Sequence, residues 1–461
     1  MTLITSISGI RGTIGGIPGE GLTPLDIVRF TTAFAGFISQ AHPGQRLKVV
    51  IGRDARVSGP MVSHLVTGTL LGKGVDVVDV GLSTTPTVEM MVTHFSAQGG
   101  IIITASHNPG QWNALKLLNH KGEFLSAVDG QKILELSESP GNVYSEVQQL
   151  GSYSFFQDAI DLHIAKILEL PLVDVEAIRS ANLTVAVDAV NSTGGISVLP
   201  LLGRLGVQNI IPLYCEPTGH FPHNPEPLPA NLTEIASLVR EKKAHLGFVV
   251  DPDVDRLAII TEKGEMFGEE YTLVAVADYI LKNKAGNTVS NLSSTRALQD
   301  LTESYGGSYF ASAVGEVNVV EMMKKHHAVI GGEGNGGVIY PDLHYGRDAL
   351  AGIALFLTHM VKSGLKCSEV RSLYPDFYIS KNKIELKQGI NVDSILGKIS
   401  ERYAEYPLNK ADGIRIDFPE GWVHLRKSNT EPIIRIYSES GNEETAVSLA
   451  GKLLKDINNL M

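Results

Sequence analysis

The sequence predicts an α/β protein with three successive βα domains, each with a mostly parallel but mixed sheet, and a C-terminal α+β domain. The chain has 461 residues, more than a single hydrophobic core can organise. Short apolar runs alternate with helical patterns as far as about residue 371, as in parallel sheets covered by helices. From 372 onwards, several strand-like runs precede one helix, which is typical of an α+β unit.

The first domain is predicted to span 1–152 and the second 153–260. In the first, the pattern predicts strands and helices in alternation, at 47–51, 61–71, 75–80, 86–95 and 100–103. A stretch rich in Ser, Gly and polar residues at 137–151 marks the boundary. The second domain is predicted to begin with a helix and continue with two strands, at 155–168, 183–190 and 246–251.

The third domain is predicted for 261–371 and the fourth for 372–461. The third is predicted to contain a hairpin turn, two helices, a strand and a closing helix, at 262–265, 271–281, 296–305, 328–331 and 347–363. The fourth is predicted to contain four strands and a final helix, at 377–386, 411–418, 421–426, 432–437 and 443–457. Because ligands bind beyond the carboxyl ends of parallel strands, we expect the loops there to face a central cleft.

Composition and charge exclude several classes of protein. The hydrophobic fraction is 43% and the charged fraction 19%, as in ordinary globular proteins, and the net charge of −11 argues against a nucleic-acid groove. The chain shows neither a signal-peptide pattern nor a membrane-length apolar run, so we expect a cytoplasmic protein that binds no membrane. Cys215 and Cys367 stand far apart, which argues against a disulfide scaffold or structural zinc.

The stretch Thr104–Pro109 places a serine on a turn directly after an apolar run. The turn ends in Asn108-Pro109, and it exposes the hydroxyl of Ser106 at a predicted strand end. The neighbouring His107 suggests a hydrolase dyad, but the stretch lacks the Gly-x-Ser-x-Gly elbow, and adjacent residues seldom form a triad. By itself, this pattern fits either a serine that carries a phosphoryl group or an ordinary surface turn.

Asp251, Asp253 and Asp255 alternate along the segment after another apolar run. Three carboxylates at this spacing can surround one hard cation and leave positions for water or phosphate, as Mg²⁺ prefers. A calcium-binding EF-hand is excluded because Arg256 stands where that loop requires glycine. The alternative is a solvated acidic turn with Arg256 as a surface cation; otherwise Arg256 holds the loop or meets a substrate phosphate.

Two further loops have ligand-binding chemistry. The glycine-rich run 331–337 lacks nucleotide-binding motifs, but Glu333 and Asn335 offer an acceptor and an amide for sugar hydroxyls; otherwise it is a plain glycine turn. The segment 426–435 lies between two predicted strands and forms either a phosphate pocket or an ordinary hairpin loop. Its polar residues are Arg426, Ser428, Asn429, Thr430 and Arg435.

Two basic residues complete the candidate set. Arg11 lies in the flexible stretch Ser8-Gly9-Ile10-Arg11-Gly12, which is weak evidence by itself. Lys116 follows the serine turn, where a nearby metal or cation could lower its pKa and make it a base. The alternative for Lys116 is a solvated lysine on a strand edge.

Taken in this order, the loops resemble those of the α-D-phosphohexomutases, which include phosphoglucomutase, phosphomannomutase and phosphoglucosamine mutase. The resemblance covers the whole chain. It implies that Ser106 is the phosphoserine, with His107 beside it, Arg11 at the active site and Lys116 in the general-base position. It also implies a Mg²⁺ site formed by Asp251, Asp253, Asp255 and Ser106, with Arg256 directly after the aspartates as in the family. Glu333 is then expected to bind sugar hydroxyls. The segment 426–435 then matches the phosphate clamp of the last domain.

The chain departs from the common family pattern at two places. It reads Asn335-Gly336-Gly337 where many relatives have Ser-Gly-His, and Glu316 stands where some place histidine. The order Glu-x-Asn-Gly is similar to the sugar loop of phosphoacetylglucosamine mutases, which favours an amino sugar.

The resemblance implies interconversion of hexose 6-phosphate and hexose 1-phosphate, with glucosamine phosphate as the favoured substrate. The reaction would pass through phosphorylated Ser106 and a hexose 1,6-bisphosphate intermediate. The alternatives are a phosphomannomutase or phosphoglucomutase and, more remotely, a metal-dependent sugar phosphatase. The expected partners are small sugar phosphates, and the expected state is a monomer or homodimer.

Overall fold

The computed structural model describes residues 2–6, 9–139, 143–386, 391–427 and 433–460. They divide into two compact units, the first formed by Met1–Tyr279 with Asn335–Arg371 and the second by Ile280–Gly334 with Ser372–Met461. The predicted α/β class with mixed sheets is confirmed. The predicted domain boundaries stay a prediction.

The first unit contains a sheet of order β1-β2-β6-β5-β3-β4-β7 within the described residues. Its strands are β1 (Leu3–Ser6), β2 (Gly9–Thr13), β3 (Lys48–Arg53), β4 (Asp76–Leu82), β5 (Gly99–Ile103), β6 (Trp112–Leu118) and β7 (Tyr153–Phe155), and its helices are α1 (Pro24–Ala41), α2 (Gly59–Gly72), α3 (Thr85–His94) and α4 (Ala127–Glu138). The pairs β5–β3, β3–β4 and β4–β7 are parallel. The pairs β1–β2, β2–β6 and β6–β5 are antiparallel. Every residue of β5 is buried, which explains its continuous apolar run.

A second sheet in the same unit has the order β11-β10-β8-β9. The elements with it are α5 (Ala159–Leu168), α6 (Val175–Ser180), β8 (Thr184–Asp188), α7 (Gly194–Arg204), β9 (Asn209–Leu213), α8 (Thr233–Glu241), β10 (Leu246–Val250) and β11 (Leu257–Thr261). Helix α9 (Glu269–Asn283) follows, and its last four residues belong to the second unit. The helix predicted at 155–168 begins only at Ala159, because 153–155 extends the first sheet as β7, parallel to β4.

The second unit contains the parallel strands β12 (Asn287–Asn291), β13 (Tyr309–Ser312) and β14 (Ala328–Glu333) with helices α10 (Ala297–Ser304) and α11 (Glu316–Lys325). Strand β14 continues to Glu333, beyond the predicted end at 331. The two glycines after Ile330 do not end the strand. Gly331 fits there because a Cβ at this position would lie 2.8 Å from the carbonyl oxygen of Val289 on β12.

The chain then returns to the first unit with β15 (Gly337–Ile339), α12 (Ala349–Ser363) and α13 (Cys367–Arg371). Helix α12 was predicted to begin at Arg347 but begins at Ala349, because Asp348 caps it by accepting the N–H groups of Leu350 and Ala351. Arg347 therefore lies outside the helix.

The last part of the second unit is an antiparallel sheet of order β16-β20-β19-β18-β17. Its elements are β16 (Tyr378–Glu385), α14 (Val392–Arg402), β17 (Leu408–Asn409), β18 (Ile414–Phe418), β19 (Gly421–Lys427), β20 (Ile433–Ser440) and α15 (Glu443–Asn458). Helix α15 packs on strands β16, β19 and β20. In the described part of the chain, no helix is long and apolar enough to cross a membrane.

Candidate active site

Ser106 lies on the turn after β5, and its hydroxyl faces an aspartate from the second sheet. Its side chain is buried, and Oγ donates a hydrogen bond of 2.6 Å to Asp251 Oδ2. The backbone of Ser106 is left-handed, with φ of 48°, and its N–H is held 2.9 Å from Thr104 Oγ1. His107 Nδ1 lies 3.4 Å from the same Oγ. A non-glycine residue in this conformation costs of the order of 1–3 kcal/mol, and such strain concentrates at functional sites.

A buried arginine that the sequence analysis missed holds the serine turn. Arg56 is fully buried and donates to the carbonyls of Ser106 and Asn108, at 2.5 Å each, and of Pro109 and Trp112, at 2.7 and 3.0 Å. Its Nε donates to Asp54 Oδ2 at 3.0 Å. The sequence does indicate this residue, because Asp54-Ala55-Arg56 directly follows the apolar run of β3, just as the turn with Ser106 follows β5. Arg56 thereby fixes the shape of the turn that presents Ser106.

The three aspartates after β10 converge, as their spacing predicted. Asp251, Asp253 and Asp255 are all fully buried, and one carboxylate oxygen from each lies within 4.8 Å of the others. Asp251 Oδ1 accepts the N–H groups of Asp255 and Arg256, each at 3.1 Å. Among the described residues, Oδ1 of Asp253 and Oδ1 of Asp255 have no hydrogen-bond partner. Buried carboxylate oxygens without a donor are costly, so this donor set fits a hard divalent cation.

Basic side chains surround the three aspartates. Lys116 Nζ lies 2.6 Å from Asp253 Oδ2 and 3.4 Å from Asp255 Oδ2, and Arg347 Nη2 donates to Asp255 Oδ2 at 2.6 Å. Burial lowers the pKa of Lys116, but attraction to Asp253 and Asp255 outweighs burial and the net pKa is raised. The lowering expected beside a metal ion stays a prediction, because here the carboxylates stabilise the ammonium. Arg347 is a second residue that the sequence analysis missed.

Positive charge also gathers around the serine turn. Burial, followed by the charge of Arg256, lowers the pKa of His107 to about 2, so its imidazole is neutral at physiological pH. Burial and the same Arg256 lower the pKa of Arg11, which lies in β2. Arg256 Nη1 itself lies 3.8 Å from Glu226 Oε1. Guanidinium groups close to one another and to Ser106 suit a phosphorylated ligand.

The predicted sugar loop is divided between the two units. In the second unit, Glu333 ends β14, is buried, and accepts from Asn291 Nδ2 at 3.0 Å and the N–H of Gly315 at 3.2 Å. In the first unit, Asn335 Oδ1 accepts the N–H of Gly337 at 3.2 Å and so shapes the turn before β15. Glu333 thus bonds to neighbouring segments of the second unit, whereas Asn335 bonds within its own turn in the first unit.

The two arginines of the predicted phosphate clamp are directly opposite each other on β19 and β20. Arg435 Nη1 donates to the Tyr437 hydroxyl at 3.3 Å. Burial lowers the pKa of Arg426, although the charge of Asp412 opposes the shift. Ser428, Asn429 and Thr430 lie outside the described residues. Of the residues predicted to form the phosphate clamp, the structure describes Arg426 and Arg435.

Comparison with known proteins agrees with this arrangement. The chain matches the domain models of Phosphoglucomutase/phosphomannomutase: the alpha/beta/alpha domains I, II and III at 3–142, 161–264 and 268–377, and the C-terminal domain at 383–455. A phosphoglucomutase/phosphomannomutase of Thermococcus kodakarensis is 36% identical over 96% of this chain and 98% of the relative. A phosphoglucosamine/phosphogalactosamine mutase of Sulfurisphaera tokodaii is 32% identical over 97% of both chains.

Solved structures show the same fold. A Burkholderia thailandensis protein described as belonging to the phosphoglucomutase/phosphomannomutase family superposes with a TM-score of 0.85 at 23% identity, covering 99% of this chain and 97% of the other. The Aspergillus fumigatus N-acetylphosphoglucosamine mutase superposes with a TM-score of 0.56 at 13% identity, over 94% and 97% of the two chains. The resemblance to the α-D-phosphohexomutases is thus confirmed, and the chain belongs to the phosphoglucomutase/phosphomannomutase family of isomerases.

Proposed function

We propose that this protein is a phosphohexomutase that interconverts hexose 6-phosphate and hexose 1-phosphate through phosphorylated Ser106. The observation that carries the proposal is the 2.6 Å hydrogen bond from Ser106 Oγ to Asp251, one of three converging buried aspartates. A phosphoryl group on this oxygen would lie beside a cation site and close to Arg11 and Arg256. Phosphoryl transfer needs this neutralisation and positioning more than covalent help from the protein.

The reaction consists of two phosphoryl transfers, the first from phosphorylated Ser106 to the sugar and the second from the sugar back to Ser106. A sugar hydroxyl oxygen bonds to phosphorus and loses its proton, while the bond from phosphorus to Ser106 Oγ breaks and Oγ regains a proton. The resulting hexose 1,6-bisphosphate turns in the site and returns its other phosphate to Ser106. Lys116 Nζ lies 2.6 Å from Asp253 Oδ2 and 3.4 Å from Asp255 Oδ2, and we propose that its ammonium offsets negative charge during transfer.

The substrate phosphate that is not transferred requires a second anchor, for which we propose Arg426 and Arg435. Their adjacent positions on β19 and β20 allow two guanidinium groups to hold one phosphate. Ser428, Asn429 and Thr430 would add hydroxyl and amide groups from the connecting segment. Glu333 and Asn335 are proposed to meet the sugar hydroxyls.

Asp251, Asp253 and Asp255, together with an oxygen on phosphorylated Ser106, are proposed to hold Mg²⁺. The two carboxylate oxygens that lack hydrogen-bond donors support this assignment. When bound, the ion neutralises negative charge on the transferring phosphoryl group, which is worth several kcal/mol.

Asp253→Asn should lower kcat by about 10²–10³-fold, because the cation site loses a charged ligand and Lys116 loses its closest carboxylate. Turnover measured against Mg²⁺ concentration should also need more metal for half-maximal rate. The matched control is Asp161→Asn, at an exposed carboxylate of α5, which should behave as wild type. An unchanged metal requirement in Asp253→Asn would contradict the assignment.

We propose glucosamine phosphate as the preferred substrate. The order Glu333-Gly334-Asn335-Gly336 supports an amino sugar, as does the name of the 32% identical phosphoglucosamine/phosphogalactosamine mutase of Sulfurisphaera tokodaii. The second candidate is glucose or mannose phosphate, which the name of the 36% identical Thermococcus relative favours.

The proposal is tested by supplying the 1-phosphates of glucosamine, glucose and mannose, each with a trace of its 1,6-bisphosphate, and following products by ³¹P NMR. We expect 6-phosphate without accumulation of inorganic phosphate, and the highest kcat/KM with glucosamine phosphate. Steady release of inorganic phosphate without a bisphosphate requirement would identify a phosphatase instead. A higher kcat/KM for glucose or mannose phosphate would overturn the substrate assignment and leave the mutase assignment intact.

A further inference from the structure

A second cluster of polar side chains, buried or nearly so, lies in the first unit and shares no residue with the three aspartates. It consists of His163 on α5, His344 between β15 and α12, and Asp348, the N-cap of α12. Nε2 of His163 lies 2.9 Å from Asp348 Oδ2, and Nε2 of His344 lies 3.2 Å from the same oxygen. The side chains are 0%, 13% and 1% exposed, respectively. Two imidazole nitrogens and one carboxylate oxygen therefore converge on one buried point.

The opposite nitrogen of each imidazole faces an acceptor on α3. Nδ1 of His163 lies 2.9 Å from Thr87 Oγ1, and Nδ1 of His344 lies 3.4 Å from Glu89 Oε2. With a metal bound, a proton on Nδ1 of each ring would face these oxygens and leave Nε2 as the ligand atom, as is usual for metal-bound histidine. The remaining oxygen of Asp348 accepts two backbone N–H groups of α12, so Oδ2 is the oxygen turned to the histidines.

The backbone leaves space for the Glu89 carboxylate in this arrangement. A Cβ at Gly346, between His344 and Asp348, would collide with Glu89 Oε2 and also crowd the His344 ring. Glycine at 346 thus lets the chain approach Glu89 closely. The carboxylate can therefore lie beside His344.

We propose that His163, His344 and Asp348 bind a divalent transition-metal ion of the Zn²⁺ type, which stabilises the first unit by joining α5 to the start of α12. Two imidazoles with one carboxylate suit Zn²⁺, Co²⁺ or Fe²⁺, whereas Mg²⁺ prefers oxygen ligands throughout. Zinc bonds of 2.0–2.2 Å place tetrahedral ligand atoms about 3.3 Å apart, so the observed spacings need widen by only a few tenths of an ångström. Each Nε2 gives up its contact with Asp348 and bonds to the metal through its lone pair, any proton on Nε2 passing to Nδ1 or to solvent, and water completes the coordination.

The competing explanation is a metal-free hydrogen-bonded cluster in which a proton on His344 supplies the positive charge. Burial lowers the pKa of His344, but hydrogen bonds to Asp348 and Glu89 outweigh burial and raise it to about 10. Both explanations account for the burial of these groups, and they differ in whether the purified chain takes up metal.

The test uses the full chain stripped of metal with a chelator and then dialysed against Co²⁺ or Zn²⁺ in excess Mg²⁺. We expect one equivalent of tightly bound Zn²⁺ by elemental analysis, and visible ligand-field absorption from bound Co²⁺. His344→Gln should lose both signals. Asp253→Asn, which alters the other site, should retain them and is the matched control.

Glu89→Gln provides a second variant that keeps all three ligand atoms and so decides the question if His344→Gln fails to fold. Loss of the carboxylate behind the imidazole should weaken Zn²⁺ binding by about 10–100-fold. The proposal is overturned if wild type binds no Zn²⁺, if Asp253→Asn abolishes the binding, or if Glu89→Gln binds as tightly as wild type.

Discussion

Ser106→Ala is expected to abolish mutase turnover, lowering kcat by a factor of the order of 10⁴–10⁶, as removal of a nucleophile does in other covalent mechanisms. Without Oγ, residue 106 has no oxygen to which the phosphoryl group can be covalently bound between the two transfers. The assay follows conversion of glucosamine 1-phosphate to the 6-phosphate in the presence of the bisphosphate. Intact-mass spectrometry of the same samples should show a phosphorylated form in wild type and none in the variant.

The matched control is Ser304→Ala, at an exposed serine near the end of α10, which should keep wild-type turnover and phosphorylation. Thermal unfolding of both variants separates loss of chemistry from loss of fold. Removing Oγ also removes the hydrogen bond to buried Asp251, so Ser106→Ala should lower stability by about 1–3 kcal/mol while still folding. Normal turnover in the folded variant would rule out the phosphoserine mechanism.

The sequence predicted best those site residues that come directly after the end of a buried strand. Ser106 and Asp251 each follow a fully buried apolar run, and such runs predict parallel strands whose carboxyl ends meet ligands. The same reasoning could have found Arg56, which follows β3. It could not have found the bond from Arg347 to Asp255, because these residues lie 92 positions apart and nothing local indicates their contact.

The errors have equally specific causes. Helix α1 was overlooked, although Thr23 and Asp26 form a capping box around Pro24 at its start. The end of β14 was placed too early because glycines were interpreted as a loop, whereas Gly331 accommodates the close approach of the Val289 carbonyl oxygen. The sequence could not indicate the direction of the shift in the pKa of Lys116, because it depends on which carboxylates lie within 4 Å, and only folding determines that.

Arg56→Ala should have the largest effect on stability, lowering the free energy of unfolding by about 3–5 kcal/mol. The variant leaves Asp54 buried without its cation and removes the Arg56 donors from three carbonyls of the turn that carries Ser106 and from that of Trp112, at the start of β6. Urea unfolding followed by circular dichroism measures the loss as a lower midpoint. The matched control is Arg204→Ala, where an exposed pair with Asp161 should contribute no more than about 1 kcal/mol.

Arg56→Lys separates charge from geometry at the same position. Lysine restores a cation beside Asp54, but its single ammonium cannot reproduce the planar fork that reaches four carbonyls. We therefore expect partial recovery of stability with turnover still depressed, because the turn presenting Ser106 loses donors that fix its shape. Full recovery of both by lysine would show that only the charge matters. Arg56→Ala within about 1 kcal/mol of wild type would show that the turn holds its shape without the guanidinium, and that the strained conformation of Ser106 is stabilised elsewhere.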